Sequence, residues 1–131
     1  MPAASPKRLG FARSQRLKRG RDFARARQEG RRAVLGCLIA NWRPLPANAT
    51  TRLGVVTSKK IGGAVVRNRA RRLMREAFRL HQGELKQPVD LVLVARQSIV
   101  GRGLADVARD FLATMERAGL LSPERGVRSA E

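Results

Sequence analysis

The chain has very little of what catalytic and metal sites are built from. Its 131 residues include one histidine, His81, and one cysteine, Cys37, so an internal disulfide and a zinc cluster of His and Cys ligands are both excluded. The ten acidic residues are scattered, without the close pair that general acid–base catalysis or a two-metal nuclease needs. We therefore expect no catalytic residue, no metal ligand and no organic cofactor. Cys37 is interpreted as a small core residue, and His81 as a cation near a helix end.

Aromatic residues and long apolar runs are also scarce. The sequence has four Phe, one Trp and no Tyr. Phe11 and Phe23 lie in the basic N-terminal region and are the candidates for stacking on bases, whereas Phe78 and Phe111 fall on apolar helix stripes. The longest apolar run, residues 33–40, is too short to span a bilayer, and the N-terminal segment has no apolar stretch typical of a signal peptide. These absences predict a soluble, cytoplasmic protein with no membrane partner.

Positive charge is what the chain has in excess. It carries 28 Lys and Arg against 10 Asp and Glu, a formal net charge of +18. A phosphate backbone is the natural counterpart of such a charge, so nucleic acid is the expected partner. Hydrophobic residues make up 43% of the sequence and recur periodically, which favours a folded protein over a disordered basic tail. The length suits one domain with a modest core.

The charge is concentrated between Lys59 and Arg79, in the segment KKIGGAVVRNRARRLMREAFR. On a helix, one face of this segment is cationic. That face carries Arg67, Asn68, Arg71, Arg72, Arg75 and Arg79. The opposite face is apolar and carries Val66, Ala70, Leu73, Ala77 and Leu80, with Met74 and Phe78 at its margin. Solvated charged faces usually interleave Glu with Lys or Arg, and Glu76 is the only acid here, so the pattern favours a polyanionic ligand over a merely solvated surface.

Two glycines precede the basic helix. Gly62 and Gly63 either turn the chain from a strand into the helix or present backbone N–H groups to a phosphate at the helix N-terminus. No Walker or GxGxxG pattern surrounds them, so the structural interpretation is favoured.

Periodicity and turn residues divide the chain into six elements. Helical spacing marks residues 17–28, 64–81 and 103–119, and strand-like runs occupy 33–43, 52–58 and 89–96. The first two strands are expected to pair as antiparallel neighbours. Gly54, within the second strand, indicates a bulge or a close backbone approach. Residues 1–14 and 121–131 are expected to be flexible tails, which leaves 15–120 as one α+β domain.

The string from Lys59 to Arg75 resembles the signature of the bacterial ribonuclease P protein subunit. Its KKIG, AV and RNR elements and the basic helix that follows agree with that family's pattern almost position by position. RLKRGRDF, residues 16–23, resembles the family's first helix, and VDLVLVAR, residues 89–96, resembles its last strand. The likeness covers roughly residues 14–120.

The resemblance implies a particular α+β architecture. This is a single-domain sandwich in which about three helices pack on a four-stranded sheet, in the order α-β-β-β-α-β-α. A left-handed βαβ crossover bears the basic helix, although ordinary chirality would favour the opposite hand. The residue spacing alone indicates three strands, so the fourth is expected from splitting or extending the region 33–58.

The resemblance also implies an activity, the removal of the 5′ leader from precursor tRNA. In this family the RNA subunit carries the active site and its magnesium ions, while the protein, as a monomer in a 1:1 complex, binds that RNA and the leader. Residues expected to contact the RNA subunit are Lys59, Lys60, Arg67, Asn68, Arg69, Arg71, Arg72 and Arg75. Residues expected in the leader-binding cleft, between the first helix and the sheet, are Arg16, Lys18, Phe23, Arg27 and Trp42.

The cleft is where the sequence departs from the family. The family often places further aromatic residues there, at positions that here hold Arg27 and Asn41. Stacking is therefore expected to rest on Phe23, helped by Trp42. Two other functions remain open from the residues alone, a basic ribosomal structural protein and a protein-only nuclease, and the shortage of acids disfavours the nuclease.

Overall fold

The computed structural model describes residues 16–17 and 20–121, with the side chains of Asp22 and Arg27 excepted. Its elements are α1 (Gly20–Glu29), β1 (Arg31–Leu35), β2 (Leu38–Pro44), β3 (Arg52–Val56), α2 (Ala64–His81), β4 (Val89–Ala95) and α3 (Leu104–Arg117). The α+β class and the predicted order of three helices and four strands are confirmed. Phe11, Lys18 and nearly all of both predicted tails lie outside the described residues. Within the described part, no helix combines the length and the apolar character needed to cross a membrane.

β4 lies between β2 and β3 in the sheet, whose order is β1-β2-β4-β3. It pairs antiparallel with β2 and parallel with β3, so the prediction that those two strands are antiparallel neighbours is wrong. The reason is the crossover: the chain leaves β3, forms α2 and returns as a strand parallel to β3. That returning strand takes the place beside β2. The left hand of the crossover stays a prediction.

The predicted single strand 33–43 is a β-hairpin, with a tight turn at Gly36 and Cys37 between β1 and β2. Gly36 has a φ of +59°, and a Cβ placed on it would lie 2.3 Å from Oδ2 of Asp110 on α3. The positive φ and this close contact both favour glycine there. The same carboxylate oxygen accepts a hydrogen bond from the Cys37 backbone N–H at 3.0 Å. The fourth strand therefore arises by splitting of the 33–58 region.

Helices cover both faces of the sheet. α2 and α3 enclose the main core on one face, where Phe78 and Phe111 meet edge to face with ring centroids 6.4 Å apart. α1 covers the other face, over a smaller cluster that includes Leu17, Ala26 and Val92. The predicted core roles of Phe78, Phe111 and Cys37 are confirmed by their burial. Coverage on both faces explains why β4 is apolar nearly throughout rather than alternating.

The buried side of α2 is rotated from the predicted one. Met74 and Phe78, expected at the margin, lie at its centre together with Ala70 and Ala77. Leu80, expected in the core, is 36% exposed. The helix packs against both the sheet and α3, so its largest apolar side chains, rather than the geometric middle of the apolar arc, determine which side is buried.

Candidate nucleic-acid interface

α2 is the long basic helix that the sequence predicts, and it begins directly after the two glycines. Gly62 has a φ of +145°, and a Cβ on it would lie 3.0 Å from Val66 Cβ, so its turn favours glycine for structural reasons. Gly63 is the N-cap residue, with extended backbone and open space around it. The helix has no acid in its first turn, and its exposed side carries the arginines. The sequence therefore places a run of cations on a helix whose other side is held by the core.

An open hollow of about 450 Å³ lies along this exposed side. We call it the arginine hollow; it is lined by Arg16, Asn68, Arg71, Arg72, Arg75, Glu76 and Arg79. Four of the predicted RNA-contacting residues meet in it. Arg16, which was predicted for the leader cleft, lines the hollow as well. It arrives there because residue 16 forms a parallel bridge with Leu53 on β3, at the edge of the sheet.

The charges in the arginine hollow repel one another. Burial, followed by the nearby cations Arg16 and Arg71, lowers the pKa of Arg75. A lowered arginine pKa means that the protein disfavours the charged form, although arginine stays protonated at neutral pH. Glu76 relieves the repulsion at one end only, because it pairs with Arg79, whose hydrogen bond lowers the pKa of Glu76. An anion entering the hollow would meet five guanidinium groups and one carboxylate among the described residues.

The predicted RNA-contacting residues differ in how firmly the protein holds them. Arg71 donates a hydrogen bond to Thr57 Oγ1 at 2.7 Å and another to Asn68 Oδ1, which fixes its guanidinium at the helix surface. Arg72 and Arg69 are exposed and make no side-chain hydrogen bond or ion pair within the described part of the chain. Arg67 is partly buried, and its Nε has no partner there. Lys59 and Lys60 are exposed in a 3-10 turn that precedes α2.

Phe23 lies on the face of the sheet that α1 covers, opposite the face on which α2 and α3 pack. Its ring rests on Gly54, because a Cβ on that glycine would come within 2.5 Å of two ring carbons. The close backbone approach predicted at Gly54 is thereby confirmed. The ring also packs against the cluster that contains Leu17, Ala26 and Val92, yet remains partly exposed. Phe23 thus combines a fixed position with an accessible ring, which is what base stacking needs.

Trp42 does not belong to that surface, and its predicted place in the leader cleft is wrong. It is only 5% exposed and packs in the main core, among side chains from α2 and α3. Successive residues of a strand point to opposite faces, so its neighbour Asn41 faces α1, opposite Val92. The side chain of Arg27 on α1 and the whole of Lys18 lie outside the described residues.

Asp90 is a charged residue of the α1 face that the sequence analysis did not single out. It is 1% exposed and pairs across the sheet with Arg43 on β2 and Arg52 on β3. Arg52 donates two hydrogen bonds of 2.8 Å to its two carboxylate oxygens, and Arg43 donates one of 3.2 Å. The available signal was the single acid within the apolar run VDLVLVAR, since a buried charge is stable only when it is paired.

The described residues offer few groups for proton transfer or metal binding. No cluster of three His, Cys, Asp or Glu side chains suited to a metal ion occurs among them. His81, at the end of α2, has its Nδ1 2.7 Å from Oε2 of Glu84. Burial, followed by the hydrogen bond with Asp110, raises the pKa of the Cys37 thiol to about 12. Cys37 is therefore a neutral, unreactive thiol at physiological pH.

Comparison with known families and sequences gives one consistent result. Residues 11–119 match the model of a family described as Ribonuclease P. The chain is 35% identical over 107 residues to the Ribonuclease P protein component of Syntrophomonas wolfei, an alignment that covers 82% of this chain and 89% of the relative. It is also 35% identical over 113 residues to the corresponding protein of Gluconacetobacter diazotrophicus, covering 86% and 97%.

Solved structures give the same result for the fold. The RNase P protein of Staphylococcus aureus superposes with a TM-score of 0.75 at 24% identity and covers 84% of this chain and all of its own. The RNase P protein of Thermotoga maritima superposes with a TM-score of 0.70 at 27% identity, covering 78% of this chain and 96% of its own. Similarity therefore extends over nearly the whole length of these relatives.

Proposed function

This chain belongs to the ribonuclease P protein family, and on that premise we propose that it binds the catalytic RNA subunit of ribonuclease P and the 5′ leader of precursor tRNA. By holding both, it assists the endonucleolytic removal of the leader. The protein acts as a monomer in a 1:1 complex with the RNA. One observation carries the proposal, the arginine hollow on the exposed side of α2.

The arginine hollow suits the backbone of a folded RNA. Guanidinium groups donate forked hydrogen bonds to phosphate oxygens, and each neutralised phosphate releases condensed counterions, which adds to affinity. A phosphate beside Arg75 also offsets the repulsion that Arg16 and Arg71 exert on it. The RNA thus supplies the negative charge that the sequence of α2 omits.

The leader is proposed to meet the α1 face, where Phe23 lies over Gly54. A single-stranded leader has unstacked bases, and an accessible ring held by a packed backbone gives one base a platform. Trp42 is buried on the other face, so stacking on this surface rests on Phe23. The predicted cleft residues Lys18 and Arg27 remain candidates for contacts with the leader phosphates.

The hydrolysis itself is assigned to the RNA. Among the described residues, His81 and Glu84 form a His–carboxylate pair, but neither lines the arginine hollow, and no cluster of three His, Cys, Asp or Glu side chains suits a metal ion. We propose that the RNA subunit holds the magnesium ions of the reaction. The role of the protein is to bind and to position.

Reconstitution tests the proposal. The purified protein is mixed with a bacterial ribonuclease P RNA and a precursor tRNA at a magnesium concentration that limits the reaction of the RNA alone. We expect the protein to stimulate cleavage at the mature 5′ end. The absence of stimulation, with the protein folded and the RNA active at high magnesium, would refute the proposed function.

A variant of α2 tests the interface. Arg72 is exposed and makes no side-chain bond in the described part of the chain, so Arg72→Ala removes charge without disturbing the fold. Removing one phosphate contact should reduce the slope of log affinity against log salt by about 0.7 to 0.9. The matched control is Arg109→Ala on α3, whose side chain is 67% exposed and pairs with Asp106. Equal slopes for both variants would remove Arg72 from the RNA interface.

A further inference from the structure

α2 has a second exposed surface, which carries apolar side chains although the rest of its exposed side is cationic. Val65 is 81% exposed and Val100 is 49% exposed, and both are among the most exposed large apolar residues that the structure describes. They flank a small notch of about 170 Å³, which we call the valine notch. Its walls also include Val66, Ala70 and Ile99, and Arg69 lines it as well. The two valines face solvent, so they do not contribute to packing of the core.

The shape of the valine notch suits a flat, largely apolar group. Ala70 and Ile99 are buried members of the main core and form a firm floor. Gly101 also lines the notch. A Cβ placed on this glycine would have no atom within 4 Å, so the notch is open beside it. The volume is comparable to that of a single nucleobase. Arg69 is exposed and unbonded within the described residues, and a guanidinium plane can stack on a base.

Charge selects the class of occupant. The chain carries a net charge of +18, which opposes association with a second copy of itself and attracts polyanions. Phosphate alone would gain little from valine and isoleucine walls. A nucleic acid with one base out of the stack combines the two chemistries, because its base is apolar on both faces and its backbone is anionic.

The valine notch is also placed where such a strand would pass. Arg69 lines the notch and Arg72 lines the arginine hollow, three residues further along α2. At a rise of about 1.5 Å per residue, three residues advance about 4.5 Å along the helix axis. An RNA backbone lying on the hollow can therefore continue past Arg69 and turn one base into the notch.

We propose that the valine notch receives one unpaired, unstacked base of the RNA that α2 binds, with Arg69 beside it. This inference rests on the proposed function and adds a base contact to a surface otherwise built for phosphates. It distinguishes two kinds of α2 residue. The arginines set the salt dependence of binding, and the valines contribute salt-independent affinity.

Truncating the valines tests the proposal by affinity. Val65→Ala and Val100→Ala each remove two methyl groups and should each weaken binding of ribonuclease P RNA about fivefold. The salt slope should stay unchanged, unlike that of Arg72→Ala. Alanine is the better helix former, so Val65→Ala should not destabilise α2. Leu80→Ala serves as the control, since that apolar residue is partly exposed on the same helix but outside the notch.

The outcomes separate the alternatives. If a double variant that combines Val65→Ala with Val100→Ala binds RNA within twofold of the parent protein, the inference is wrong while the proposed function stands. If RNA binding is unchanged but the double variant loses a self-association detected by ultracentrifugation, the notch belongs to a second copy of the chain. If the parent protein fails to bind the RNA at all, it is the proposed function that fails.

Crosslinking identifies the base. Cys37 is the only cysteine, is buried and has a pKa raised to about 12, so Val65→Cys introduces a single reactive thiol. A photoreactive group attached there should crosslink to one or two nucleotides that are unpaired in the RNA. Crosslinks confined to paired, stacked nucleotides would overturn the proposal.

Discussion

The Asp90 cluster gives the sharpest test of what holds the α1 face together. Asp90→Asn keeps the shape of the side chain and removes its charge. In the parent protein, three charge-assisted hydrogen bonds reach this carboxylate from Arg43 and Arg52. An amide can accept only on its oxygen, and its NH2 group would face a guanidinium, so at least one donor loses its acceptor. Arg43 and Arg52 would then lie side by side without the carboxylate that pairs with both.

The magnitude follows from how deeply the charges lie. Removing one partner of a buried ion pair costs about 3 to 5 kcal/mol. Asp90 is fully enclosed, but the side chains of Arg43 and Arg52 are 26% and 33% exposed, so water can partly resolvate them. We therefore expect the low end, about 3 kcal/mol. This is a large part of the roughly 5 to 15 kcal/mol that stabilises a typical domain, and it should lower the melting temperature by at least about 10 °C.

The free energy of unfolding can be measured with an intrinsic fluorescent probe. Trp42 is the only tryptophan and is buried in the main core, so its fluorescence reports the unfolding of the domain in urea. Arg109→Gln is the control, because it breaks the exposed pair with Asp106, which should contribute less than about 1 kcal/mol, and leaves the Asp106 carboxylate on the Gly103 backbone N–H. A loss of under 1 kcal/mol for Asp90→Asn would refute the view that this carboxylate neutralises two arginines that the sheet forces together.

Two further predictions concern single residues on either side of the sheet. Phe23→Ala should weaken binding of precursor tRNA to the holoenzyme more than binding of mature tRNA, because only the precursor carries a leader base to stack; equal losses would remove Phe23 from the leader site. Cys37, whose folded pKa of about 12 lies above the ordinary thiol value of 9.0, keeps its proton in the folded state after the unfolded thiol has ionised. Stability should therefore fall as the pH rises from 9 towards 12, and a Cys37→Ala variant that shows the same fall in alkaline urea titrations would contradict this assignment.

The sequence predicted the helices better than the sheet, for a physical reason. The apolar and charged sides of 64–81 repeat with the helical period over eighteen residues, and α2 occupies that range. The hairpin at Gly36 was missed because its turn depends on Asp110, a residue more than seventy positions away on α3. The residues of the turn itself give no indication of that long-range contact. The order of the strands likewise depends on where the crossover returns the chain.

The candidate site divides in the same way. Residues spaced along α2 could be grouped from the sequence because a helix fixes their relative positions. Arg16 could not be added to them, since its place depends on the bridge to Leu53 at the sheet edge. Trp42 was placed on the wrong face because helices cover both faces of the sheet. Asn41 and Trp42 are both buried, so alternation in burial gives no indication of which one faces α1.

The architecture reconciles two demands that conflict within α2. Its crowded cations disfavour an isolated helix, since like charges one turn apart repel. In the folded state burial, followed by the charges of Arg16 and Arg71, lowers the pKa of Arg75. The burial of Met74 and Phe78 between the sheet and α3 offsets this cost, so the helix remains in place without its ligand. An RNA that binds then removes repulsion rather than inducing structure. Under the proposed function, the packing of the core would contribute to RNA affinity, because it keeps the arginines assembled before an RNA arrives.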